Sequence, residues 1–147
     1  MFMSKKFTFR LEPILKIREQ NKKLAQSEFV SARNERINRE QIINEHKNYK
    51  ENLNKTDLTQ LNIQSLRNLH YHKISVEENI KKMESEKEIL IEKENVKQKH
   101  YNIALQEEKI MQKLKDKQLQ NHTLNINKEE QKVLDEIGSQ IKNKFDG

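Results

Sequence analysis

One stretch, from Leu66 to Leu119, limits what this chain can fold into, because it has no proline or glycine and repeats its apolar residues three and four apart. The positions that form this repeat are Leu66, Leu69, Val76, Ile80, Met83, Leu90, Tyr101, Ala104 and Met111. Their spacings are sums of threes and fours, so these side chains fall on one stripe of a helix. At about 1.5 Å per residue the stretch predicts a helix of roughly 80 Å, which needs a second long helix beside it.

The composition favours a thin helical structure over a compact domain. Only 33% of the 147 residues are apolar and 35% are charged, which leaves too little apolar surface for a large core. Two glycines and one proline in the whole chain, together with the helical periodicity, argue against disorder. We therefore predict an all-α fold, an elongated antiparallel two-helix coiled-coil hairpin. A short N-terminal arm precedes the hairpin, and a third helical piece at the C-terminus stays an open alternative.

The predicted hairpin is one domain spanning 1–147. Its parts are an arm at 1–11, a first helix at 12–54, a turn at 55–64, a second helix at 65–121 and a helical extension at 127–144. Asp57-x-x-Gln60 resembles a capping box for the second helix, whose start stays open up to Ser65. Residues of low helix propensity cluster at 121–127 and predict a soft break there.

A heptad-like seam runs along the first predicted helix. Its members are Leu11, Leu15, Arg18, Lys22, Ala25, Phe29, Ala32, Arg36, Arg39, Ile43, His46 and Leu53. Several are polar, so the apolar stripe is broad and imperfect. Counting turns pairs residues 12–53 with roughly 60–101, antiparallel. This pairing leaves apolar residues of the second helix without cover, which hints at a partner: Ile110, Leu114, Leu119 and Leu124.

The residues for common catalytic and ligand sites are missing or badly spaced. There is no cysteine, and glycine occurs only at 138 and 147, too sparsely for a phosphate-binding loop. His70 and His72 are two residues apart and so point to different helix faces, unlike a zinc-binding pair. The many carboxylates alternate with lysines as on a solvated helix face. We predict no enzyme, no metal and no cofactor.

Charge and hydropathy bear on location and partners. The longest aliphatic run is Ile89-Leu90-Ile91, and no apolar segment follows the lysines near the N-terminus, so neither a membrane span nor a secretory signal is predicted. We expect a cytoplasmic protein. The net charge of +6 arises in residues 1–55, which hold 13 Lys and Arg against 7 Asp and Glu. This pattern suits an acidic protein surface at least as well as nucleic acid.

The opening of the chain resembles a known family. The residues are Phe7-Thr8-Phe9-Arg10-Leu11-Glu12-Pro13-Ile14-Leu15-Lys16-Ile17-Arg18-Glu19, followed by Ala25-Gln26. They are similar to the F-x-F-x-L-x-x-(I/L)-L-x-(I/L)-R-E stretch of the flagellar export protein FliJ family. The total length, the run from Tyr49 to Asn54, and the late Asp135-Glu136 with Lys142 and Lys144 are similar too.

The resemblance implies a non-enzymatic part of the flagellar type III protein export apparatus, peripheral to the cytoplasmic face of the inner membrane at the flagellar base. It implies a stalk that promotes assembly and activity of the export ATPase FliI, whose regulator is FliH. It also implies contact with the export gate protein FlhA and help in recycling export chaperones. The free chain is expected to be a monomer.

Analogy with rotor stalks puts the ATPase-ring contact at the open end of the hairpin: Phe7, Phe9, Leu11, Leu15, Arg18, Leu134, Ile137 and Ile141. The export-gate contact implied by the resemblance is Ile42, Tyr49, Tyr71 and Val76, with His72 and Asn79 departing from the family pattern nearby. For each of these residues the alternative is packing within the hairpin. Other functions remain open for the chain as a whole: a generic structural coiled coil, a rotary-ATPase stalk subunit, or a basic nucleic-acid-binding protein.

Overall fold

The computed structural model describes residues 6–146 and contains two long helices that pack against each other. Helix α1 spans Glu12–Asn54 and helix α2 spans Ile63–Asp146. No strand occurs in the described part of the chain. The predicted all-α helical hairpin is confirmed. Residues 1–5 of the predicted arm, and Gly147, lie outside the described residues.

Helix α1 starts and stops through local backbone hydrogen bonds. At its start the Glu12 N–H donates to the Phe9 carbonyl at 3.1 Å, and Pro13 follows, where a missing N–H costs nothing. At its end the Lys55 N–H donates to the carbonyl of Glu51, and the Thr56 N–H donates to that of Leu53, both at 3.2 Å. The hydrogen bond from Thr56 spans three residues instead of four and so forms a tighter turn. It ends the helix because it satisfies the Leu53 carbonyl, which has no helical partner further along the chain.

In the connection from 55 to 62, the capping box predicted at Asp57 does not form. Asp57 does not cap α2: its carboxylate accepts from the backbone N–H of Thr59 at 3.0 Å and the hydroxyl of Thr59 at 2.7 Å. These two hydrogen bonds, the backbone one first, lower the pKa of Asp57. The cap is Asn62, whose side-chain oxygen accepts from the Ser65 N–H at 2.7 Å. The carboxylate of Asp57 is already hydrogen-bonded within a local turn. Asp57 also lies too far upstream to reach the first free N–H groups of α2.

Replacing the cap tests this assignment. Asn62→Ala should lower the free energy of unfolding by about 0.5–2 kcal/mol, because a helical N–H loses its partner. Urea denaturation followed by circular dichroism measures the loss. Asn68→Ala, an exposed site inside α2, is the matched control and should cost less. Equal losses for the two variants would contradict the cap.

Helix α2 continues through 121–127, where the sequence predicts a break. Asparagine, histidine and threonine each cost less than about 0.7 kcal/mol in a helix, and the segment holds neither proline nor glycine. The Thr123 hydroxyl donates to the Leu119 carbonyl at 3.0 Å, which keeps this side chain within the helical pattern. The residues from 127 onward are thus part of α2 and not a separate piece.

Contacts within the chain group into two compact units, and both helices contribute to each. We call the residues up to Lys22 together with those from Ala104 onward the terminal unit, and Lys23–Ile103 the central unit. The seam positions predicted on α1 are all buried or half-buried. Those predicted on α2 are too, except Leu66 in its second turn.

In the central unit the helices run antiparallel in a register set by charge pairs. Lys50 pairs with Glu77 at 3.2 Å, and Glu28 pairs with Lys97 at 3.1 Å. The predicted pairing of 12–53 with 60–101 is therefore wrong by several turns, since it would place Lys50 near residue 63. The error comes from assuming a tight reversal, whereas the connection is eight residues long and α2 starts before its paired region.

Candidate functional site

The described part of the N-terminal arm, residues 6–11, packs on α2 within the terminal unit. Phe9 and Leu15 are buried, and the Phe7 ring lies 5.6 Å from the His122 ring, at a tilt of 49°. Leu11 is half-buried. Of the ring-contact candidates near the N-terminus, Phe9 and Leu15 thus lie inside the molecule. This placement fits the alternative in which they pack within the hairpin.

Charge pairs join α1 to α2 in the terminal unit. Glu12 pairs with Lys115 at 3.0 Å, and Arg18 donates to Glu107 at 2.6 Å. Lys22, a polar seam residue, lies 2.7 Å from Glu108, also on the seam side. The guanidinium of Arg18, a ring-contact candidate, is therefore already paired with a carboxylate. A partner that used this guanidinium would have to compete with Glu107.

The last part of α2 presents an apolar stripe that the rest of the unit leaves uncovered. Every residue from 127 to 145 is exposed. We call this surface the distal stripe: Val133, Leu134, Ile137, Ile141 and Phe145. Leu134, at 62% exposure, and Ile137 line a shallow surface depression with Val133 and Glu130. Three ring-contact candidates lie here, and the sequence prediction left out Phe145, whose spacing of four from Ile141 would have revealed it.

Helix α1 also covers α2 further toward its C-terminal end than the sequence predicts. Leu114 is half-buried, while Ile110, Leu119 and Leu124 are exposed as expected. Leu114 is covered because α1 residues such as Glu12 reach Lys115 in the observed register.

The gate-contact candidates in the central unit divide into exposed and buried residues. Ile42, Tyr49 and Tyr71 are exposed, whereas Val76 is buried. The Tyr49 hydroxyl and His72 Nε2 are 2.8 Å apart, and their rings meet edge to face at 5.8 Å. The hydrogen bond fixes the Tyr49 side chain at the surface of the hairpin.

A groove lies beside this pair. It is lined by Glu45, His46, Tyr49, Val76 and Asn79. His72 and Asn79, which depart from the expected family pattern, therefore hold Tyr49 or line the groove. This groove is a surface on which a partner could recognise an aromatic edge with polar neighbours.

A polar pair occupies the middle of the seam in the central unit. Arg36 donates from Nε and Nη2 to the two oxygens of Glu94, and from Nη1 to Glu40 at 3.0 Å. The hydrogen bonds to Glu94, and secondly to Glu40, raise the pKa of Arg36. Only one alignment of α1 with α2 brings the Arg36 guanidinium and the Glu94 carboxylate together. The pair therefore specifies the alignment of the two helices.

Other interhelical pairs lie at the edges of the seam. Lys47 approaches Glu84 at 2.8 Å, and the hydrogen bond and the charge of Lys47 lower the pKa of Glu84. Lys93 donates to both oxygens of Glu35, at 3.3 and 3.5 Å. Such exposed pairs add little stability each, but together they disfavour other registers.

The titratable residues of 6–146 form no group of three or more that could hold a metal ion. His46 hydrogen-bonds the Ile42 carbonyl through Nδ1 at 2.8 Å, and His70 lies beside Tyr71. The surfaces described above instead suit binding to other proteins. The molecule thus has the features of a helical-hairpin interaction protein, with a polar seam and an uncovered apolar stripe.

The comparisons with known proteins place this hairpin in a family. Residues 7–144 match the family model described as Flagellar FliJ protein, which covers nearly the whole chain, and the chain belongs to the FliJ family. The resemblance predicted from the sequence is confirmed. No curated protein and no solved structure matches the chain.

Membership of the family makes the chain a component of the flagellar export apparatus, concerned with protein transport. FliJ proteins are structural components of that apparatus and not a known class of enzymes. Neither helix of the described residues is long and apolar enough to cross a membrane.

Proposed function

We propose that the chain is a stalk that promotes assembly and activity of the export ATPase ring. Its partners in this proposal are the ATPase FliI, the regulator FliH, the gate protein FlhA and export chaperones that it helps to recycle. It works in the cytoplasm, peripheral to the inner membrane at the flagellar base. Family membership supports the setting, and the uncovered distal stripe is the observation that carries the ring contact.

The physical basis is a difference in affinity between two states of the ATPase. A stalk that binds the assembled ring more tightly than free subunits shifts the assembly equilibrium toward the ring. The distal stripe can supply this difference because apolar side chains gain free energy only where a partner surrounds them. A ring surrounds a helix on several sides, whereas a single subunit covers one side.

Within the ring contact the residues have different roles. Leu134, Ile137 and Ile141 of the distal stripe insert into the ring. Phe7, Leu11 and Arg18 contribute at the edge, since each is only partly covered. Phe9 and Leu15 act indirectly, because they are buried and hold the arm and α1 in place.

The gate contact uses the exposed aromatic surface of the central unit. Tyr49, Tyr71 and Ile42 face outward and contact FlhA. Val76 supports them from below as part of the groove that Tyr49 borders.

Nucleic acid is a weaker candidate. Many of the cations that give the chain its positive charge face glutamates across the hairpin, including Arg18, Arg36 and Arg39. A phosphate backbone would have to replace these carboxylates.

An ATPase assay with a matched control tests the ring contact. Replacing Leu134, Ile137 and Ile141 together by glutamine keeps a good helix former while removing the apolar surface. Each fully buried side chain of this kind contributes about 1.5–3 kcal/mol. Only about half of each of the three side chains is still exposed in the free chain, so binding to the ring gains about half of that amount from each. We therefore expect the concentration of chain that half-maximally stimulates the purified export ATPase to rise on the order of 100-fold.

The control changes the opposite side of the same helix. Lys128→Gln, Lys132→Gln and Ser139→Ala lie on the polar face and should leave stimulation within about twofold of the unchanged chain. An ATPase that the unchanged chain does not stimulate would refute the proposed function. An equal loss in both variants would refute the role of the distal stripe.

A further inference from the structure

A second exposed apolar row lies on α2, within the central unit and away from the seam. Ile89, Val96 and Ile103 are seven residues apart and are 68%, 43% and 53% exposed. Neither the hairpin seam nor the proposed gate contact uses them. Three aliphatic side chains in one exposed row form a surface that a partner could cover.

The spacing of the row indicates what kind of partner covers it. The seam residues Met83, Leu90 and Ala104 repeat at seven and fourteen residues, the same period, so the row keeps a constant position relative to the seam. A partner that contacts all three residues must therefore run along α2. Another α-helix meets this requirement.

The sequence around the row is complementary to itself when reversed. Ile89 and Ile103 lie seven residues on either side of Val96. A two-fold axis at Val96 would thus place Ile89 of one copy against Ile103 of a second, antiparallel copy. Interfaces of this kind contact the same patch on both copies.

The charges beside the row agree with this pairing. The exposed Glu92 and Lys99 lie on one flank, four residues before and three residues after Val96. The two-fold axis would bring Glu92 of each copy opposite Lys99 of the other. On the other flank Lys93 would face His100. The charge of Lys93 is already matched by Glu35.

We propose that two copies of this chain associate through α2, antiparallel, about a two-fold axis at Val96. Three apolar residues per copy make a small interface, well below the roughly 1,000 Å² of a stable complex. The association is therefore weak, and dilute chain is mostly monomeric, in agreement with the monomer expected from the sequence. It becomes significant where several copies are held close together.

Charge reversal provides the first test. Glu92→Lys and Lys99→Glu should each weaken self-association in analytical ultracentrifugation at high protein concentration, because each places like charges opposite one another in both halves of the interface. The double variant restores both pairs and should return to at least half of the original association. Absence of dimer in the unchanged chain at millimolar concentration, or failure of the double variant to recover, overturns the proposal.

Disulfide trapping provides the second test, and the chain suits it because it has no cysteine of its own. Val96→Cys lies on the axis and should cross-link to itself under mild oxidation at least tenfold faster than Asn102→Cys, an exposed site off the row. Ile89→Cys should cross-link with Ile103→Cys in a mixture faster than either does alone. Equal cross-linking rates at all four sites would overturn the antiparallel register. Fast cross-linking of Ile89→Cys to itself would indicate a parallel pairing and would also overturn it.

Discussion

Ile43→Ala should lower the free energy of unfolding by about 2–5 kcal/mol, the loss expected when a buried aliphatic side chain is cut back to alanine. Ile43 is 2% exposed, so the deleted carbon atoms leave a cavity that the thin hairpin has few other contacts to offset. The hairpin has only one layer of buried residues between two helices. A cavity in that layer removes contacts from both helices at once.

The neighbouring residue provides the control. Ile42 has the same side chain and is the adjacent residue of α1, but it is 39% exposed. Ile42→Ala should cost about 1 kcal/mol or less, because its side chain keeps much of its contact with water in the folded state. Urea denaturation followed by circular dichroism measures both. Similar losses for the two variants would contradict the observed phase of the seam.

Phe9→Ala should release the N-terminal arm from the helices of the terminal unit. Phe9 is buried, and truncation of a buried phenylalanine costs about 3–5 kcal/mol where no rearrangement fills the space. Because the arm is a short segment outside the helices, we expect the loss to appear as local opening and not as unfolding of α1 and α2. Hydrogen exchange of the Glu12 and Leu15 amides, which donate to the arm carbonyls of Phe9 and Leu11, measures it, while circular dichroism should show unchanged helix content.

Thr8→Ala serves as the control for the arm, since Thr8 is exposed next to Phe9. It should leave hydrogen exchange of the Glu12 and Leu15 amides within about twofold of the unchanged chain. Unchanged protection in Phe9→Ala would show that Phe9 does not anchor the arm. The same variant also bears on the proposed ring contact, where Phe9 acts either directly or by holding the arm in place. If Phe9→Ala opens the arm and the chain then no longer stimulates the ATPase, Phe9 has the indirect role.

Periodicity was enough to predict the helices and the positions that meet in the seam. Leu15, Ala32 and Ile43 are buried where the heptad pattern of α1 places them. A stripe repeated every three or four residues has only one face to bury, so this information is local and needs no knowledge of the partner helix.

Local propensity was less reliable at the ends of elements. Asp57 and Asn62 are both good caps, and the choice of Asn62 depended on which side chain had another donor nearby. The asparagine and threonine cluster at 121–127 is compatible with a helix as well as with a break. Differences of a few tenths of a kcal/mol per residue cannot decide between such alternatives.

The sequence by itself determined the fold class, the family and the buried stripe of each helix, because these depend on residue spacing and on a motif of adjacent residues. Only the tertiary structure decided the register, which places Arg36 against Glu94, and the division of the candidate contacts into buried Phe9 and exposed Leu134. Register and exposure depend on which residues of the other helix lie opposite. That pairing comes from the length of the connection and from the sum of many weak charge pairs, and neither quantity can be read from one helix alone.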